Sequence, residues 1–129
     1  MARMPGKYSP PNGALFLARL QPTNEAVGCV GLRPLTEPGG IGIGIAEMKR
    51  LYVDPAGRGM GVGRKLADAV VAEARRLGYE AVLLDTLPHM LSAIGLYKSL
   101  GFVEVEPYYA TPLEGTVFLR LDLKSGLGE

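Results

Sequence analysis

Apolar residues recur in short runs along most of the chain, and their spacing changes in a way that separates strands from helices. ALFLARL (14–20) and EAVGCVGLRPL (25–35) read as two strands, with QPTN between them short and turn-forming enough for a hairpin. TEPGGIGIGIA (36–46) begins as a loop, alternates isoleucine with glycine, and reads as a mobile connection. EMKRLYVD (47–54) predicts a third strand. Beyond it Val62, Leu66, Ala69, Val70, Ala74 and Leu77 recur at helical spacing, with Lys65, Asp68, Arg75 and Arg76 on the opposite side. Gly78 follows as a left-handed cap.

EAVLLDT (80–86) is a continuous apolar run, the pattern of a strand buried on both faces. Strand, helix and strand from 47 to 86 therefore predict a βαβ unit with a right-handed crossover. Pro88 is placed to open a second helix and Gly101 to close it, around HMLSAIGLYKSL (89–100), with one apolar face and Tyr97 at its edge. FVEVEPYY (102–109) and TVFLRLDL (116–123) complete the strands. The predicted fold is α/β: a mixed sheet whose central parallel pair (47–54 and 80–86) is flanked by two helices, antiparallel elsewhere.

Residues 1–13 carry Pro5, Gly6, Pro10, Pro11 and Gly13 and predict an irregular lead-in, so residues 1–129 are read as a single domain. Lys and Arg total 14 against 13 Asp and Glu, a net charge of +1, which gives no support to a nucleic-acid partner. No apolar run approaches the roughly 18 residues of a membrane span, and the first residues do not form a signal peptide. One cysteine, Cys29, excludes an intramolecular disulfide and sits in a strand-like setting. A soluble, cytoplasmic protein without membrane contact is the expectation.

The chemistry concentrates in DPAGRGMGVGR (54–64), where glycines 57, 59, 61 and 63 lie between a strand and a helix. Glycine there serves turn geometry or close approach of a ligand, and phosphate is the first ligand to consider. A Walker loop fails, because counting five on from Gly57 or Gly59 reaches Val62 or Arg64 where the second Gly is required. A dinucleotide fingerprint is a partial match, with Leu66 in place of its third glycine and Asp85 at a suitable distance for a ribose contact. Backbone N–H groups at a helix start, with the helix dipole behind them, suit a diphosphate. Arg58 and Arg64 can add charge-assisted hydrogen bonds.

Arg58-x-x-Gly61-x-Gly63, after the strand end Leu51-Tyr52-Val53, resembles the pyrophosphate loop of the GNAT superfamily of acyl-CoA-dependent N-acyltransferases. AIGLYKSLGF (93–102) is similar to a second motif of that family, and the likeness runs from about Ala14 to Leu123. The resemblance implies transfer of an acetyl group from acetyl-CoA to a primary amine, on a small molecule or a peptide, with no metal. It implies that exposed backbone groups of Leu51, Tyr52 and Val53 hold the pantetheine arm and polarise the acyl carbonyl. Arg58, Gly59, Met60, Gly61, Val62, Gly63 and Arg64 would hold the pyrophosphate.

Tyr97 matches the family's general acid, while Glu47 and Asp85 are the two candidate bases. Met90 stands where the family often has asparagine, seven residues before the tyrosine. His89, at a helix start, is read as a solvated or capping residue. Two further expectations concern the ends. The chain reads as N-terminally short, without the family's first strand and two helices, which leaves a non-catalytic acyl-CoA-binding or partner-binding module as the alternative. TVFLRLDL, read as an edge strand, makes a homodimer an expectation. PYYATPLEG (107–115) is placed beside the acceptor.

Overall fold

A computed structural model of the chain describes residues 13–21, 23–35, 44–110 and 114–123, with Arg50 described by its backbone alone. The strands are β1 (Ala14–Leu20), β2 (Glu25–Pro34), β3 (Ile45–Val53), β4 (Ala81–Thr86), β5 (Val103–Val105) and β6 (Val117–Asp122). Among the described residues the helices are α1 (Val62–Arg76) and α2 (Leu91–Ser99), and a 3₁₀ turn covers Pro55–Gly57. The strands form one sheet in the order β1-β2-β3-β4-β6-β5. Among the described residues only β3 and β4 pair in parallel, and every other pairing is antiparallel. The fold class read from the sequence is therefore the observed one.

Side-chain alternation along the two central strands divides the sheet into two faces. Ala46 and Met48 of β3 and Val82 and Leu84 of β4 join the main core with Leu66, Val70 and Ala74 of α1, and with Tyr97 and Phe102. Ile45 of β3 and Ala81 and Leu83 of β4 turn to the other face, where they meet Leu35 and Tyr108. Glu47 and Lys49 follow Ile45 at the same period, and Asp85 follows Leu83. The charged residues of the centre thus lie on the face opposite α1.

Both helices end in the same device. Gly78 (φ 88°) donates to the Arg75 carbonyl and Tyr79 donates to that of Ala74. Gly101 (φ 106°) donates to the Lys98 carbonyl and Phe102 to that of Tyr97. This is the Schellman pattern, in which the residue after the left-handed glycine also packs back onto the helix. In α2 that contact is Phe102 against Tyr97, with ring centroids 5.8 Å apart. The turn that stops α2 therefore also clamps Tyr97. A side chain at position 101 would carry a left-handed φ and bring its Cβ to 3.2 Å from Leu121. Gly101→Ala is expected to lower stability by roughly 1–2 kcal/mol, which chemical denaturation would measure.

Several boundaries differ from the sequence reading. β3 begins at Ile45, so residues 45–46 of the expected mobile connection are strand, while 36–43 lie outside the described residues. Pro88 does not open α2. It sits second in a turn closed by Met90 N–H donating to the Leu87 carbonyl, a position its fixed φ suits, and the helix starts at Leu91. Residues 102–109 contribute only three residues of strand, because Pro107 has no N–H to offer a ladder and Tyr108 and Tyr109 fold back onto Phe118. β6 is not an edge strand: β4 pairs along one side of it and β5 along part of the other. Pairing of two subunits through β6 therefore loses its basis. Cys29 lies in β2, half-buried.

Candidate active site

The cleft that holds the candidate residues exists because β3 and β4 stop pairing. Their parallel ladder covers only Ile45–Glu47 against Ala81–Leu83. On its other side β3 carries a bulge: Lys49 pairs with Gly31 and Tyr52 with Cys29, so Arg50 and Leu51 together oppose Val30. A two-against-one bulge bends a strand and increases its twist, which carries the end of β3 away from β4. The gap, about 860 Å³, is lined by Leu51, Tyr52 and Val53 on one side and by Leu84, Asp85 and Thr86 on the other. The glycine segment closes one end of it, and Met90, Ala93, Leu96 and Tyr97 line it from the α2 side.

Asp54 N–H donates to the Val27 carbonyl at 2.7 Å, closing the β2–β3 ladder. The antiparallel alternation then turns the backbone of Val53 toward the cleft. Arg58 reaches back to it, its Nε donating to the Val53 carbonyl at 3.2 Å. That bond ties the base of the loop to the strand end.

The four glycines of the segment do different work. A Cβ on Gly57 would lie 2.9 Å from Cβ of Val27, so this glycine permits the 3₁₀ turn to press against β2. Gly59 and Gly61 have φ of 81° and 74°, and nothing lies within 4 Å of where their side chains would be. They are exposed backbone facing open space. Gly61 caps α1 without any side-chain bond, and the first helical hydrogen bond runs from Lys65 N–H to the Gly61 carbonyl. The N–H groups of Val62, Gly63 and Arg64 therefore precede the ladder, and no acidic residue occupies the first turn. The arrangement is a cradle for an anion, with the helix dipole aligned behind it. Arg64 is exposed and turned toward Ser99 and Asp68.

At the inner end of the cleft Tyr97 is 6% exposed, buried rather than at the edge of its helix face. Its hydroxyl is pushed up to about 12, first by burial and then by the negative charge of Asp85. Tyr97 is thus a protonated phenol through the whole neutral range.

The acidic candidates are embedded in a charge network. Glu47, 1% exposed, accepts a hydrogen bond from Nε of its cross-strand neighbour Arg33 at 2.8 Å on one oxygen, with Arg33 Nη2 2.6 Å from the same oxygen. Tyr108 donates to its other oxygen at 2.7 Å, and Lys49 Nζ lies 3.6 Å from that oxygen. Asp85 accepts from Lys49 Nζ at 3.0 Å on one oxygen and from the Tyr109 hydroxyl on the other. Burial and then the hydrogen bond to Glu47 hold the Tyr108 hydroxyl protonated well above the usual phenol range; for Tyr109, burial and then the bond to Asp85 do the same. Asp85 lines the cleft with Tyr97, whereas Glu47 lines a smaller neighbouring cavity. His89 is exposed in the turn before α2, and its carbonyl accepts from Leu91.

The structure thus brings Leu51–Val53, the glycine loop, Asp85 and Tyr97 to one cleft and sets Glu47 beside it. Sequence reasoning passed over Arg33 and Lys49. Lys49 carried a signal, since alternation puts it on the face of Glu47 two residues away. Arg33 carried none, because its place opposite Glu47 depends on strand register.

The chain matches the profile of the "Acetyltransferase (GNAT) family" over residues 3–102. It is 42% identical over 117 residues, 91% of its length, to an uncharacterized N-acetyltransferase of Schizosaccharomyces pombe. It spans 68% of that protein's length and 38% of the length of a Dictyostelium discoideum relative. Its fold is similar to the crystal structure of a protein assigned as an acyl-CoA N-acyltransferase from Klebsiella pneumoniae. The TM-score is 0.74 and the identity 33%, over 88% of this chain and 74% of that one. An acetyltransferase structure from Salmonella typhimurium, solved with acetyl-CoA, shares the fold at a TM-score of 0.65 and 24% identity, over 81% of this chain and 63% of that one. With a family profile covering most of its length and a fold to match, the chain belongs to the acetyltransferase (GNAT) family.

Proposed function

We propose that this protein is an N-acetyltransferase that moves an acetyl group from acetyl-CoA to a primary amine by direct attack, acting as a single domain in the cytoplasm. One observation carries the reading: an anion cradle, with Gly59, Gly61, Val62 and Gly63 on the cleft wall, and a buried phenol, Tyr97, face the same cleft between two separating strands. The cradle fits a diphosphate, because the space a Cβ would enter at Gly59 and Gly61 is open. Bound there, acetyl-CoA supplies a thioester whose acyl carbon is the electrophile. A likeness in fold to a protein solved with acetyl-CoA supports the donor.

Leu51, Tyr52 and Val53 hold the pantetheine arm along the strand end, and Arg58 with the loop N–H groups holds the diphosphate. Backbone N–H of the separated β3 faces the acyl oxygen, where negative charge develops as the amine attacks. The C–N bond forms and the C–S bond breaks. Tyr97 gives its proton to the departing sulfur, and Asp85 takes a proton from the amine through water. Asp85 is favoured over Glu47 because each of its oxygens receives a single donor and it faces the cleft. Glu47 already accepts hydrogen bonds from Arg33 Nε and from Tyr108, has a second Arg33 nitrogen 2.6 Å away, and acts as the buried counter-ion of Arg33.

Release of free thiol from acetyl-CoA, followed across a panel of primary amines, tests the activity. Amine-dependent release upholds it; binding of acetyl-CoA without turnover on any amine would leave a non-catalytic acyl-CoA-binding module. The two carboxylates separate by variant. Asp85→Asn is expected to lower kcat by about a hundredfold or more with the melting temperature little changed. Glu47→Gln is expected to cost roughly 3–5 kcal/mol of stability, because it strips a buried ion pair of one partner. A Glu47→Gln protein that is fully stable and inactive would reverse the assignment.

A further inference from the structure

Among the described residues that line the cleft, Lys49 is the only one that carries a primary amine. The class of group proposed as acceptor is thus already built into the wall. Lys49 Nζ donates to one oxygen of Asp85 at 3.0 Å, so a proton of the amine already points at the carboxylate proposed as base. Glu47 lies 3.6 Å from the same nitrogen, and the centroid of the Tyr109 ring 5.9 Å from it. These contacts hold the amine at the cleft without enclosing it, since the side chain is 27% exposed.

The proposed donor site adjoins this amine. Lys49 precedes Leu51 by two residues of β3, roughly 7 Å along a strand, and Leu51–Val53 is the segment assigned to the pantetheine arm. The flexible four-carbon stem of a lysine covers such a distance. Tyr97, the proposed acid, lines the cleft as well, and the charge of Asp85 is near enough to act on its hydroxyl. Amine, base and acid therefore meet within one chain.

We propose that Lys49 is an autoacetylation site, whose amine takes the acetyl group from acetyl-CoA bound in the cleft when no acceptor is present. This inference rests on the reading of acetyl-CoA as the donor. The ammonium of Lys49 first gives one proton to Asp85, which passes it to water. The free amine then forms a C–N bond to the acyl carbon as the C–S bond breaks, and Tyr97 gives its proton to the departing sulfur. The second proton shed by the nitrogen restores the phenol, so the products are an acetamide on Lys49, coenzyme A as its thiol, and one proton released. The acetylated side chain is neutral, and Asp85 loses its cationic partner while keeping Tyr109.

Incubation of the full chain with isotopically labelled acetyl-CoA and no added amine, followed over time by peptide mass mapping, tests the site. Lys65 and Lys98, both exposed, report the background of uncatalysed acetylation. Lys49 is less exposed than either, yet is expected to gain label at least about tenfold faster, the advantage of a positioned reactant over one met in solution. Excess free coenzyme A, competing for the cleft, is expected to suppress labelling of Lys49 and leave Lys65 and Lys98 unchanged. Lys49→Arg, which keeps a cation beside Asp85, is expected to remove the fast labelling from the chain rather than shift it to another lysine. Labelling of Lys49 no faster than that of Lys65 and Lys98, or unaffected by coenzyme A, is ordinary solution chemistry and would overturn the site. Adding a panel of primary amines to parallel samples separates this inference from the enzymatic reading. Acetylated amines beside an unlabelled Lys49 leave the enzyme standing and overturn the site. Fast, competed labelling of Lys49 with no amine acetylated upholds the site while transfer to a free acceptor falls; label on neither overturns both.

Discussion

Gly61→Glu is expected to abolish acetyl-CoA binding in isothermal titration, weakening it by at least about a hundredfold, through like-charge repulsion at the positive end of a helix. Position 61 has a left-handed φ of 74° and open space where its side chain would project. A glutamate there faces outward into the cradle, bringing negative charge to the place proposed for the diphosphate. The backbone cost is separable from the charge. Gly61→Ala carries the same strain, roughly 1–2 kcal/mol for a non-glycine residue in this conformation, without the carboxylate. It is expected to bind within about tenfold of the unaltered protein, because a methyl group adds no repulsion. Arg58→Ala should fall between the two, at about a tenfold loss, since a charge-assisted contact is removed and the N–H groups stay. Unaltered affinity in Gly61→Glu, with the fold intact, would place the diphosphate elsewhere.

The contrast between Gly61 and Arg33 shows what the sequence could and could not convey. Loop, helix stops and strand runs are local: a left-handed glycine, a 3.6-residue stripe and an apolar run each announce themselves within a dozen residues. Gly78 and Gly101 end their helices as read, and Leu66, Val70 and Ala74 face the core as their spacing requires. Strand order is not local. β6 follows β5 in the chain yet inserts between β5 and β4, because its alternating side chains complete the core beside β4; nothing in TVFLRLDL specifies that neighbour. The same limit hid the network of Arg33, Glu47, Lys49 and Asp85, which joins residues from three strands and exists only once β2, β3 and β4 are in register. Glu47 and Asp85 were both legible as strand carboxylates. Their unequal surroundings, one saturated and one open to the cleft, were not.

Tyr97→Phe is expected to lower kcat by about a hundredfold or more while leaving acetyl-CoA affinity unchanged, because the proton that Tyr97 supplies to the departing sulfur is lost. The ring that packs on Phe102 is preserved, so the site keeps its shape. A kcat within a few-fold of the unaltered protein would show that Tyr97 only packs. The same substitution has a second readout that depends on burial rather than catalysis. In the unfolded chain a tyrosine titrates near 10, whereas folding raises Tyr97 to about 12. A group whose folded value is raised contributes stability that is fully present below pH 10 and is lost as pH climbs through about 12. The stability of the unaltered protein relative to Tyr97→Phe should therefore fall by roughly 2–3 kcal/mol across that window, measured by denaturant titration at paired pH values. A flat difference would mean that the hydroxyl is better solvated than its burial implies. Below pH 10 the phenol keeps its proton, so any alkaline loss of activity at lower pH belongs to another group. That is the behaviour a general acid at a thiolate leaving group requires: it stays protonated where the attacking amine is already neutral.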